Sequence, residues 1–466
     1  MSVLKAFHPA GLLIALMSVQ WAPILKTAGF SVQVAYLGII LLIMLTLASA
    51  GMRRGFVAVL RRNASWLVPY GVYLLLLTLA LYGSPGQNMA PRQIFYLTGA
   101  LCLSAFIVQA RDPGRTLRTG AGIGISLFIL VIEIIARDVG LSWFVALQHF
   151  LTTGDFDFIV YGFFRAVFNA YSDGEELAVA AALKNGVAVS IFVMSLIFRI
   201  GYGRRGTDWR GVGLTLLALF LILMLNTRSV LIVAGVSMLL ASLLRSATRY
   251  DESTAALVMK MALAIILVLG TVLIFLTDNP VVGMISDRFA FEDASTENRV
   301  AQYGWALQMI EHNLLLGNGY TEHDGRLIHN LFLSAWVQAG LVAFFLVASF
   351  YLAVAGIWVA FIFKVTCNPQ RWVLPLPFEW VAMLPILPLF RVWLSGDAGH
   401  LFLGEWVALA TFFGCILRND LAMREIAGMR GHANRVPVSF RASLRAGQLM
   451  PSTSPAIGRL EHDAHG

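Results

Sequence analysis

The chain has 466 residues, of which 58% are hydrophobic and only 13% charged, where a soluble chain carries roughly a quarter charged residues. Together with a mean hydropathy of +0.75, this excludes a water-soluble multidomain enzyme. The formal charge of +8 would suggest an anionic partner in a soluble protein, but in a membrane protein much of it serves as a topology signal. Cys102, Cys367 and Cys415 lie within or beside apolar runs and lack CxxC or other ligand spacing, so neither a disulfide framework nor a zinc site is expected.

In hydrocarbon every backbone amide needs an internal partner, so each long apolar run reads as a helix. Twelve such runs are legible: Ala10 to Leu25, Phe30 to Ala50, Ser65 to Gly83, Ile94 to Ala110, Thr119 to Ala136, Leu177 to Gly201, Gly211 to Asn226, Ser229 to Leu244, Ala255 to Leu276, Leu331 to Phe363, Val373 to Trp393 and Gly399 to Leu417. They predict an all-α polytopic membrane bundle of about twelve transmembrane helices. Basic residues mark alternate connections, at Arg53, Arg54, Arg61 and Arg62, then Arg111, Arg115 and Arg118, then Arg199, Arg204, Arg205 and Arg210, and again at Arg245, Arg249, Lys364 and Arg371. Because Lys and Arg are retained on the cytoplasmic side, both termini are expected to be cytoplasmic.

The expected organisation is N-terminal membrane helices over 1–136, an aromatic external segment over 137–176, and membrane helices with an Arg228 turn over 177–276. A large external loop over 277–330, C-terminal membrane helices over 331–417 and a basic cytoplasmic tail over 418–466 follow. The segment 137–176 is rich in Trp, Phe and Tyr, which suits the headgroup layer. Its Asp155-Phe156-Asp157 matches a metal-binding DxD pattern that is common by chance and is set aside.

The second external segment carries the candidate chemistry. Asp293 and Ser295 supply helix-start residues, and Val300, Tyr303, Leu307, Ile310 and Leu314 recur at intervals of three and four, predicting an amphipathic helix with that apolar face. Gly317-Asn318-Gly319 ends it in a sharp turn. His329-Asn330 then stands at the entry to a long apolar span. Histidine exchanges protons near neutral pH, although both residues would also serve as a simple helix cap. Metal binding by His312, His323 and His329 is not expected, since their spacing matches no strong motif.

Arg228 lies in the tight connection Asn226-Thr227-Arg228-Ser229 between two apolar runs, where a charge is costly unless it snorkels or pairs. Guanidinium is also the side chain best matched to phosphate oxygens. Arg299 can approach the same face. Lys184 falls about two turns inside its span and reads either as a phosphate contact or as the partner of a carboxylate such as Glu405.

Thr227-Arg228-Ser229, Arg299 followed six residues later by Trp305, Gly317-Asn318-Gly319, and His329-Asn330-Leu331 followed by Gly340 together resemble the O-antigen ligase and polysaccharide polymerase family over Gly211 to Trp358. The resemblance implies a GT-C-like membrane glycosyltransferase of the bacterial inner membrane, with its active site on the periplasmic side. It would act by metal-independent inverting transfer, with no cofactor. The donor would be an undecaprenyl diphosphate-linked glycan, and the acceptor lipid A-core or another lipid-linked glycan. Arg228 and Arg299 would hold the leaving diphosphate and His329 would orient or deprotonate the acceptor hydroxyl. Asn330, Arg326 and Lys184 would contact substrate. The sequence departs from the family at the turn, which reads Thr-Arg-Ser where many relatives have Ser-Arg-Gly. A twelve-span transporter or polysaccharide flippase is the rival reading, since Gly51-Met52-Arg53-Arg54-Gly55 loosely matches a carrier loop. Duplicated halves and the loop's acidic residue are missing from the sequence.

Overall fold

The computed structural model describes residues 8–20, 23–27, 30–84, 87–154, 158, 163–164, 166–167, 177–202, 209–225, 227–248, 294–321, 328, 330–395 and 401–435. The chain divides into two units, Met1–Asn419 and Asp420–Gly466, and the candidate site belongs to the first.

Helix α1 (Pro9–Leu16) begins at His8, whose Nδ1 accepts from the Ala10 amide at 3.2 Å, and it tightens into a 3₁₀ turn over Met17–Val19. The first expected span therefore stops short. Residues Pro23–Thr27 (β1) and Phe30–Gln33 (β2) form an antiparallel ladder, which corrects the helical runs expected to reach Leu25 and to begin at Phe30. Pro23 has no amide hydrogen and cannot continue a helix interior, and the ladder supplies the backbone partners a helix would have given.

Helix α2 (Val34–Ala48) bends by 105° at Ser49 into α3 (Ala50–Arg62). The Ser49 hydroxyl caps α3 by accepting from Met52 N at 3.4 Å. What reads in sequence as a basic connection is thus an amphipathic helix. It buries Met52, Gly55 and Val59 against the neighbouring helix and exposes all four of its arginines.

The helices that follow are α4 (Ala64–Ala80), α5 (Met89–Gln109), α6 (Pro113–Asp138), α7 (Trp143–Thr153) and α8 (Leu177–Tyr202). After them come α9 (Trp209–Met224), α10 (Arg228–Thr248), α11 (Ala294–His312) and α12 (Leu331–Cys367). Beyond the 3₁₀ turn Pro369–Arg371 stand α13 (Phe378–Val381), α14 (Ile386–Ser395) and α15 (Leu403–Arg435).

Among the described residues six helices are long and apolar enough to cross a membrane, or seven if α2 and α3 count as one bent span; α1, α4 and α9 are apolar but shorter. The expected count of twelve is therefore not reproduced. The run Ala255 to Leu276 lies outside the described residues. The run Val373 to Trp393 is not one helix: Pro375, Pro377 and Pro385 break it into α13, a turn and α14, as expected where ring and missing donor interrupt the ladder, while Pro388 sits in the first turn of α14, where proline is tolerated.

Close packing follows small residues and aromatic rings. On α6, Gly120 and Gly124 let α1 approach so nearly that a methyl on Gly120 would lie 2.5 Å from the Gly11 carbonyl oxygen, the small-residue device of membrane helix pairs. Helix α15 is the hub. Trp66 stacks on Phe413 at 5.0 Å, Tyr70 meets Trp406 at 5.2 Å and Phe350 at 4.6 Å. Ser104 Oγ donates to Ala410 O at 2.8 Å, and Trp406 Nε1 donates to Gln93 Oε1 at 3.0 Å. Exposed apolar side chains such as Met44, Leu47, Leu75 and Leu79 cover outer faces of these helices, as lipid contact requires.

One ion pair is fully enclosed. Arg391 Nε and Nη2 donate to the two oxygens of Glu405 at 2.7 and 2.8 Å, Phe402 N donates to the same carboxylate at 2.8 Å, and the guanidinium sits 4.4 Å from the Phe402 ring centroid. The carboxylate considered for Lys184 is therefore held by Arg391. Removing one member of a buried pair leaves an uncompensated charge and costs about 3–5 kcal/mol. Arg391→Met or Glu405→Gln alone should markedly lower the thermal unfolding midpoint of the detergent-purified protein. Arg391→Met combined with Glu405→Leu should recover most of the loss, and a double variant no better than the singles would contradict this account.

Candidate functional site at the broken helix

Helix α12 has 37 residues, which at 1.5 Å each would run about 55 Å, well beyond a hydrocarbon core of about 30 Å. It is not straight. Gly340 has φ 83° and ψ −178°, a conformation essentially reserved for glycine, and divides α12 into arms of residues 331–339 and 341–367. The rings of Trp336 and Phe344 lie 4.9 Å apart, and those of Phe332 and Tyr351 5.5 Å apart. On a straight helix residues 332 and 351 would be about 28 Å apart, so the arms fold back on one another at Gly340. The first arm thus carries Asn330 alongside Tyr351, deep beside the second arm rather than at the entry to a long span. This corrects the single span expected from Leu331 to Phe363.

The break would leave backbone groups without partners, and the turn after α11 supplies them. Asn318 N donates to Val337 O at 2.6 Å, Gly319 N to Gln338 O at 3.1 Å, and Leu341 N to Leu314 O at 3.2 Å. Trp336 Nε1 also reaches Leu314 O at 3.0 Å, while Asn318 Nδ2 ties the turn to Met309 O at 3.0 Å. The fit needs glycine on both sides: a Cβ on Gly317 would lie 2.6 Å from Gly340 N, and one on Gly340 would collide with the Leu315 carbonyl.

Helix α11 packs on the first arm through Ala306, Ile310, Ile328 and Val337, flanked by Tyr303, Met309, Leu333 and Trp336. Its buried stripe is Gln302, Ala306 and Ile310, whereas Leu307 is 52% and Leu314 48% exposed. The apolar face expected from Val300, Tyr303, Leu307, Ile310 and Leu314 is therefore rotated. Docking at the Gly340 break fixes which side of α11 meets α12, and hydrophobic periodicity alone carries no such information.

The candidate residues fall as follows. Arg228 is the first residue of α10, and Thr227 O accepts from Leu231 N at 3.1 Å in the opening turn. Helix α10 packs against α8, α9, α12 and α14, so the helix that begins at Arg228 adjoins both the helix bearing Lys184 and the helix capped by Asn330. Arg299 lies in the second turn of α11, one turn before Gln302, on the helix docked to the first arm. Lys184 is half-buried on α8. Asn330 caps α12, its Oδ1 accepting from Phe332 N at 3.0 Å and Leu333 N at 3.1 Å. His329 and Arg326 lie outside the described residues, as do Asp155, Phe156 and Asp157. Among the described residues no three His, Cys, Asp or Glu side chains are arranged to hold a metal ion.

Between the two arms of α12 and α14 runs a groove of about 650 Å³, lined by Asn330, Leu333, Phe344, Tyr351, Trp358 and Phe390 among others. Its walls are almost wholly apolar, and with Leu352 73% and Phe390 45% exposed it opens sideways on the outer surface of the bundle. Sequence reading had no access to this groove, because its walls are brought together only by the reversal at Gly340. Gln302 was also missed, lying one residue off the stripe that periodicity favoured.

Residues 213–348 match the family described as O-antigen ligase. The chain carries an O-antigen ligase-like region. No curated protein matches the chain significantly. The O-antigen ligase-like region runs from α9 through Arg228, Arg299, the docked turn and Asn330 into the second arm of α12, close to the span Gly211 to Trp358 expected from the motifs. Lys184 and the α14 wall of the groove lie outside it.

Gly340→Ala should lower the unfolding midpoint by several degrees and abolish function of the ligase-like region, because an alanine can neither adopt this backbone cheaply nor clear the Leu315 carbonyl. Gly356→Ala, at a helical glycine whose added Cβ would meet nothing within 4 Å, is the control. An equal response of the two variants in a thermal melt would refute the special role of the break.

Proposed function

We propose that this protein is a glycosyltransferase of the bacterial inner membrane that transfers a glycan from undecaprenyl diphosphate at the periplasmic face, as an O-antigen ligase or as a polymerase of O-antigen or exopolysaccharide. The observation that carries the reading is the apolar groove between the arms of α12, which passes Asn330 within the ligase-like region and opens laterally. A lateral, almost uniformly apolar channel suits a long hydrocarbon tail, because burying apolar chain surface is favourable by about 25 cal/mol per Å². The donor's tail would lie there and its diphosphate near the starts of α10 and α12.

In the transfer, the acceptor hydroxyl oxygen forms the new bond to the anomeric carbon while the bond from that carbon to the diphosphate oxygen breaks, its electron pair leaving with undecaprenyl diphosphate. Attack opposite the leaving group inverts the anomeric centre. His329 takes the hydroxyl proton. Arg228 and Arg299 neutralise the charge developing on the diphosphate, with no metal ion required. Helix N-termini at Arg228 and Leu331 add positive partial charge, which favours phosphate. Asn330 orders the first arm by capping it. Arg326 and Lys184 serve as further glycan or phosphate contacts. The acceptor is lipid A-core for a ligase and a second lipid-linked glycan for a polymerase.

The direct test incubates purified protein with undecaprenyl diphosphate-linked repeat units and each acceptor. Wild type should form product, and Arg228→Ala, Arg299→Ala and His329→Ala should each reduce kcat/KM by about 10²-fold or more, as loss of a transition-state contact or general base does. Full activity in all three variants would reject these roles. Uptake into liposomes without glycan transfer would instead support the transporter reading.

The groove makes a separate prediction. Ala355→Trp narrows it on the second arm and should raise KM for the long-chain donor while leaving a donor with a short prenyl tail nearly unaffected. Equal effects on both donors would show that the tail lies elsewhere.

A further inference from the structure

The bend at Ser49 sets α3 across the direction of α2, and the helices at either end of it present apolar side chains to lipid. Leu47, just before the bend, and Val68, in the second turn of α4, are 64% and 62% exposed. Between them Arg53, Arg54, Arg61 and Arg62 are exposed as well, and four guanidinium groups would be costly in hydrocarbon. The headgroup layer is the one level that suits both.

The two faces of α3 agree with that placement. Met52, Gly55 and Val59 turn toward the bundle, where a Cβ on Gly55 would lie 2.8 Å from Gln109 Cγ at the end of α5. On the opposite face Arg54, Val57 and Arg61 recur at intervals of three and four, with Leu60 beside them, and Val57 and Leu60 are 43% and 37% exposed. Apolar side chains standing among outward arginines fit a surface that offers both phosphate and acyl chain.

The positive charge is not answered from within this packing. No Asp or Glu precedes Asp112 in the chain, so α3 and the helices α2, α4 and α5 that pack on it carry no carboxylate. Asp112, in the turn after α5, accepts from Arg115 N at 3.2 Å and caps α6, and its neighbour Arg111 is another exposed cation at that turn. Arg53 Nη1 reaches back across the bend and donates to Leu47 O. Arg54 and Arg61 are the pair on the outward face, about 10 Å apart along the helix.

We propose that this face of α3 is a docking site for anionic phospholipids of the leaflet on its side, with Arg54 and Arg61 engaging the phosphates and Val57 and Leu60 the acyl region. Guanidinium suits phosphate because its planar donors pair with two oxygens at once, and a basic interfacial helix gains affinity from anionic lipid. The site shares no residue with the groove and stands whether or not the protein transfers glycan.

The test uses the full chain. Detergent-purified wild type, titrated with dioleoyl phosphatidylglycerol and followed by thermophoresis, should bind it far more tightly than dioleoyl phosphatidylcholine, and the difference should shrink as salt rises. Arg54→Gln combined with Arg61→Gln should weaken phosphatidylglycerol binding about 30-fold, at about fivefold per arginine, and leave the unfolding midpoint in lipid-free detergent unchanged. A nitroxide on Val57→Cys, in a chain whose exposed Cys367 is changed to Ser, should report headgroup depth in phosphatidylglycerol vesicles. Equal affinity for the two lipids, undiminished affinity in the double variant, or a nitroxide fully exposed to water overturns the site, and the last of these would point to an acidic soluble partner instead.

Discussion

The architecture around the candidate site depends on one exchange of backbone hydrogen bonds, between the turn after α11 and the interrupted helix at Gly340. A helix in apolar surroundings cannot be broken unless the freed carbonyls and amides find partners. Here Asn318 N, Gly319 N and Leu314 O provide them to Val337 O, Gln338 O and Leu341 N. The turn can come that close only because Gly317 and Gly340 lack side chains. One local event therefore reverses α12, orients α11 and positions the groove.

The reversal also changes what the polar residues at the start of α12 can do. On a straight span, Asn330 would stand at the membrane boundary with only solvent and headgroups near it. Folded back, its arm lies beside Tyr351, and Asn330 borders a channel that continues toward Trp358 and Phe390. On the function proposed above, a helix start beside an apolar channel would join the two environments that a lipid diphosphate needs, a positive helix terminus for its head and an apolar path for its tail. Stability is concentrated elsewhere, in the aromatic packing of α4, α12 and α15 and in the Arg391–Glu405 pair.

Much of the bundle was legible in the chain. Runs predicted at Ser65 to Gly83, Ile94 to Ala110, Thr119 to Ala136, Leu177 to Gly201 and Ser229 to Leu244 correspond to α4, α5, α6, α8 and α10, although α5 and α6 begin at Met89 and Pro113, ahead of the predicted starts, because long uninterrupted apolar stretches leave the backbone one local solution. The failures have common causes. Pro23 and the prolines from Pro375 to Pro385 stop helices that composition alone continued, and the basic stretch after Ser49 proved amphipathic rather than loop-like. Of the candidate site, sequence motifs gave Arg228, Arg299, the glycine turn and Asn330 as separate signals in chain order, and the helices of the two arginines each pack against α12.

By itself, then, the sequence determined that the chain is a helical membrane protein, where most of its helices begin and end, and that its family signals lie between Gly211 and Trp358, since these follow from local hydropathy, proline and glycine. Only the tertiary structure decided that Gly340 reverses a helix instead of merely bending it, that Gln302 rather than Leu307 faces inward, and that Glu405 belongs to Arg391. Those outcomes turn on which surfaces meet and which backbone groups find partners. Residues far apart in the chain settle that jointly, and no window along it contains the answer.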